Sequence, residues 1–80
     1  MQDKKLYKSP EVVIRIKDVA KEKKIAIKDV LEYAELGINA LSHMNHGKSI
    51  SFDSLARIAD ALDVSLDYLV GRTDKKEVNR

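Results

Sequence analysis

The stretch that most limits what this chain can fold into is residues 27–46, IKDVLEYAELGINALSHMNH. Val30, Leu31 and Ala34 recur at helical spacing on one side of it, and Leu41 and Met44 do so on the other. Between them Glu35-Leu36-Gly37 leaves room only for a tight turn. Leu36 is expected to plug the core there, and Gly37 to supply conformational freedom or a cap. Nowhere does the chain alternate apolar and polar residues as a half-buried strand would, and it has no internal repeat. The expectation is an all-α fold in which two short helices meet at a turn.

The flanking segments extend this to a compact five-helix bundle. Residues 1–8 read as a flexible basic arm, 9–71 as the folded domain and 72–80 as a charged C-terminal tail of low ordering tendency. Ser9-Pro10-Glu11 is a helix start, with Ser9 as cap and Pro10 in the first turn. A first helix over 10–23 then sets Val12, Val13, Ile16, Val19 and Ala20 on one face. Ile14 falls outside that stripe. The second helix is expected over 27–34 and the third over 38–45, with Gly47 stopping the third. Ser51 caps a fourth helix whose inward stripe is Phe52, Leu55, Ile58, Ala59 and Leu62. Ser65 caps a short fifth helix that ends at Gly71.

Composition removes several function classes. At 80 residues the chain buries only about 60% of its unfolded surface, so its stability margin should be thin. It has no cysteine, hence no disulfide staple, thiolate metal site or thiol nucleophile. No apolar run exceeds three residues, which is far short of a membrane span, and the opening residues lack an export signal's apolar core. A cytoplasmic protein is expected. His43 and His46 are spaced to share a metal, yet no further ligand completes a set, so no cofactor is expected. Ser42 and His43 are adjacent on a helix and point about 100° apart, which rules them out as a nucleophile–base pair. With no phosphate-cradling glycine loop either, the pattern does not read as an enzyme. No small-molecule effector is evident.

The net charge is only +2, but it is unevenly spread. Residues 1–28 hold nine basic and four acidic residues, whereas 29–71 hold two basic and seven acidic. Such asymmetry suits a face made for a polyanion, although a solvated lysine-rich helix produces it too. The helix–turn–helix spacing decides which polyanion, because that motif presents its second helix to the major groove of duplex DNA. On that helix Asn39 can pair bidentately with adenine, and Ile38 and Ala40 can meet a thymine methyl. Ser42 and His43 can reach a base or a backbone oxygen. Lys28, His46, Lys48, Ser49 and the Gly47 amide suit phosphates. Lys17, Lys21, Lys23 and Lys24 would add longer-range attraction. The plainer alternative for Asn39 is a helix cap satisfying local amides.

Over residues 15–73 the chain resembles the Cro and phage-repressor (XRE-type) helix-turn-helix family. Arg15-Ile16-Lys17 looks like that family's first-helix segment, and Leu36-Gly37-Ile38-Asn39-Ala40-Leu41-Ser42-His43-Met44 falls at its turn and recognition helix. Gly47-Lys48 matches the glycine and basic residue that follow. Ala59-Asp60-Ala61-Leu62-Asp63-Val64-Ser65-Leu66-Asp67-Tyr68-Leu69 is close to its ending. The resemblance implies a lambda-repressor-like fold and a bacterial or phage transcriptional regulator, a repressor by analogy, that acts by occupying an operator. Where the family opens its second helix with Ser-Gln or Thr-Gln, this chain has Ala26-Ile27, so that contact is missing or has moved to Lys28. Its third helix also lacks an arginine. Family members bind as dimers, which makes Ile14, Tyr68 and Val70 candidates for a weak homodimer contact. The rival reading is a helix-turn-helix scaffold used for protein docking, as in an antirepressor or antitoxin component.

Overall fold

α1 (Ser9–Lys23) is the element on which three of the other helices rest in the computed structural model, which describes residues 7–78. The rest are α2 (Ile27–Tyr33), α3 (Ala40–Asn45), α4 (Phe52–Leu62) and α5 (Leu66–Val70), with no strand among the described residues. α1 packs against α3, α4 and α5, and α2 packs against α4. The expected stripe on α1 is buried throughout, with Ile16 and Val19 wholly so. Ile58, Leu62, Leu69 and Val30, from the other helices, are buried in the same core. Burying one such side chain stabilises by roughly 1.5–3 kcal/mol. No polar or charged side chain is buried among the described residues, so apolar shape alone holds this interior.

Among the described residues, each of the five helices ends in one geometry, a residue at positive φ with two reverse hydrogen bonds. The left-handed residues are Lys24, Glu35, Gly47, Asp63 and Gly71. After α2 the Glu35 amide donates to Glu32 O at 3.1 Å and the Leu36 amide to Leu31 O at 2.9 Å. After α3 the Gly47 amide donates to Met44 O and the Lys48 amide to His43 O. At three of the five ends the next residue is apolar: Ile25, Leu36 and Val64 all pack on or into the core.

Several sequence expectations need correction. The freedom expected of Gly37 is not used, because Glu35 (φ 59°) makes the turn and Gly37 stays out of the left-handed region. Lys8, in extended backbone, is the cap position of α1, and its carbonyl accepts from the Glu11 and Val12 amides. Ser9 is therefore the first helical residue and makes no capping bond. α3 starts at Ala40 because residues 37–40 first close a tighter turn, Ala40 N–H to Gly37 O. Phe52 is 76% exposed: it opens α4 past the end of the core, a place filled by half-buried Ile50. Ser51 and Ser65 do cap α4 and α5, accepting from the Ser54 and Tyr68 amides.

Residues 72–78, expected to be loose, lie against the body. The Ser65 amide donates to Lys76 O at 2.9 Å, and Lys76 Nζ sits 2.7 Å from Glu22 Oε2 and 5.6 Å above the Tyr68 ring. An otherwise unsatisfied amide at the start of α5 and a carboxylate on α1 thus recruit the segment. The expectation for the basic arm falls mostly on residues 1–6, outside the described residues.

Two measurements check this account. Gly37→Ala should stabilise by about 0.4–1 kcal/mol, since nothing lies within 4 Å of the added carbon and no left-handed backbone is lost. Gly71→Ala should destabilise, because Gly71 has φ +86° and the new carbon would lie 2.7 Å from Arg15 Nη2. Thermal melts would separate the two by several degrees. The second concerns acid. The hydrogen bond and charge of Lys76 hold the Glu22 carboxyl below its usual range. The pair therefore forms above the ordinary glutamate pKa and is lost as pH falls through the lowered one. The Ser65 amide resonance should follow that acid transition and shift at the same pH in the wild type only, not in Glu22→Gln.

Candidate nucleic-acid interface

α3 is six residues long and is held by two side chains, Leu41 and Met44, turned into the core beside α1. At about 100° per residue, Asn39, Ser42, His43 and His46 then lie on the opposite side, and all four are exposed. Ile38 precedes them at 85% exposure, the most exposed large apolar side chain among the described residues. Ala40 sits on the flank, half-buried against the core, so its methyl is only partly offered outward. Asn39 occupies the cap position of α3, but its side chain makes no capping bond. Its side-chain amide is exposed.

At the exit of α3 the expected phosphate set divides. The Gly47 amide is not available, as it donates to Met44 O at 2.9 Å. Gly47 instead serves through its φ of +94°, which turns the chain and leaves Lys48 and Ser49 exposed beside α3. The His46 ring donates Nδ1–H to Ser42 O at 2.8 Å. A neutral ring in that tautomer has only a lone pair at Nε2, so His46 can donate to a phosphate only as imidazolium. Lys28 is exposed on the first turn of α2 and shares an apolar groove with Leu31, Glu32, Leu36 and Ile38.

The lysines of α1 divide too. Lys17, Lys21 and Lys24 are exposed and make no ion pair among the described residues. Lys23 is engaged elsewhere, donating to Leu62 O at 2.7 Å and Asp63 O at 3.1 Å, where it caps α4. Sequence reasoning missed this role, and also missed Arg57, which bridges Glu35 and Asp53 at 3.0 Å each. Only the four-residue spacing of Asp53 and Arg57 signalled any of it. Of the three dimer candidates, Ile14 is 58% exposed, while Tyr68 and Val70 are half-buried, Tyr68 beneath Lys76. Among the described residues no three His, Cys, Asp or Glu side chains gather to hold a metal. No helix among them is long and apolar enough to cross a membrane.

Two short helices at a tight turn, the second buried on one side and polar on the other, define a helix-turn-helix domain. The model of the Cro/C1-type HTH DNA-binding domain matches residues 15–75, and the chain belongs to that family. Duplex DNA is accordingly the partner of this domain, and the resemblance drawn from the sequence holds. Neither the curated proteins nor the solved structures compared with the chain include a match to it.

The role of Lys23 generates a prediction. Lys23→Ala should lower stability by about 1 kcal/mol, the worth of a partly exposed charged hydrogen bond. It should weaken DNA binding less than Lys21→Ala does, as thermal melts and duplex titrations of the two variants would show.

Proposed function

We propose that this protein is a transcriptional repressor that occupies operator DNA by laying α3 in the major groove. The observation that carries the reading is the row Asn39, Ser42, His43 and His46, exposed on the side of α3 opposite its two buried anchors. Asn39 and His43 read base edges, Ser42 reaches a base or a sugar–phosphate oxygen, and Ile38 and the edge of Ala40 contact thymine methyls. Lys28, Lys48, Ser49 and protonated His46 fix the register on phosphates, with Gly47 shaping the loop that carries two of them. Lys17, Lys21 and Lys24 contribute at longer range.

Six residues of helix read few base pairs, so the active form is a weak dimer that pairs on DNA. Its half-sites lie about 34 Å apart. Ile14 is the best-placed apolar contact for such a dimer, with Val70 and Tyr68 secondary. The work is done in the cytoplasm, by occupancy and without catalysis or an effector.

Selection from a random duplex pool should return a two-fold symmetric site. On it, log affinity should fall linearly with log salt, and Lys28→Ala and Lys48→Ala should each lessen the slope by about 0.9. Asn39→Ala should cost about 1–3 kcal/mol and relax preference at one base pair. The second reading, a protein-docking scaffold, is favoured by the exposure of Ile38 beside the apolar groove. A salt slope untouched by both lysine substitutions would select it.

A further inference from the structure

The turn that carries the DNA-facing helix is tied down by one side chain with no part in the contacts above. Arg57, on α4, places Nη1 3.0 Å from Glu35 Oε2 and Nη2 3.0 Å from Asp53 Oδ2. Glu35 is the left-handed residue that closes α2, a conformation with a steric cost for anything but glycine. Among the described residues, this is the one side-chain hydrogen bond that reaches residues 34–39. α3 needs such help. It is shorter than a helix that persists alone, and no side chain caps its start. Leu41 and Met44 anchor one side of it, leaving its tilt to residues 35–39.

We propose that Arg57 is a positioning residue for DNA recognition. By pinning the Glu35 carboxylate to α4 it sets the angle at which Ile38, Asn39, Ser42 and His43 leave the body. Asp53, four residues back on α4, holds the second edge of the guanidinium and aims the first at Glu35. The inference rests on α3 being the helix that meets DNA. It differs in sign from a simple charge effect: a carboxylate near phosphates repels them, so Glu35 would weaken binding unless its contact with Arg57 did something more.

The test uses the full chain and the duplex recovered by selection. Glu35→Gln should bind about three- to five-fold more weakly although it removes a negative charge, the range open to an exposed ion pair. Arg57→Gln should also weaken binding, and the double variant should bind no more weakly than Arg57→Gln alone. In the DNA-free protein, hydrogen exchange at the Leu36 and Ala40 amides should quicken in both single variants, with Ile58 and Leu62 unchanged. Glu35→Gln binding as well as or better than wild type would overturn the inference, as would unchanged exchange at Leu36 and Ala40. If the wild type binds no duplex, the reading of α3 fails instead, and the exchange measurement alone decides whether Arg57 sets the turn.

Discussion

The structure depends first on the burial of one face of α1. Ile16 and Val19 are wholly shielded because three other helices lean on that face from different sides. α2 reaches this centre through α4, and α3 reaches it through Leu41 and Met44. α3 is thus a guest on a body assembled elsewhere. That division suits a binding protein: the body supplies cohesion, while the outer side of α3 stays free of packing duties and open to chemistry.

The cations show why a summed charge says little about function. Lys23, Arg57 and Lys76 are each engaged in an internal contact, with carbonyls at the end of α4, with Glu35 and Asp53, and with Glu22. Exposed pairs of this kind add little stability, so their worth lies in where they hold the chain. Lys17, Lys21, Lys24, Lys28 and Lys48 are left exposed without a partner among the described residues, and a polyanion would feel those. An acidic segment and a DNA-binding role are compatible once the carboxylates beside the turn are seen to be tied to Arg57.

The helices and most of the core were legible in the sequence because a 3.6-residue period is a local signal, strong wherever a helix has one buried face. Local preference misled at the edges. Glycine is the usual left-handed residue, so Gly37 drew the assignment, yet the turn is placed by Leu36, which must drop into the core one residue after Glu35. Phe52 continued an apolar stripe on paper, but a stripe has no way to mark where the opposing helices stop. The contacts of Lys76 with Glu22 and of Arg57 with Glu35 join residues 54 and 22 positions apart, and no pattern within a window could reveal them. That Ile38, Asn39, Ser42 and His43 would face outward was legible because the turn fixes which way the next helix faces. The Gly47 amide was misassigned because its donation to Met44 is a property of how that helix ends.

An interior in which no polar side chain is buried among the described residues has a consequence for how such a protein can change over time. Shape and volume are all it demands, and cores of that kind accept many combinations of aliphatic residues so long as the total fill is kept. Lineages carrying this body can therefore diverge widely in letters while retaining its outline. The few outward positions on α3 carry no packing duty, so they are free to be rewritten on a separate schedule without rebuilding the scaffold.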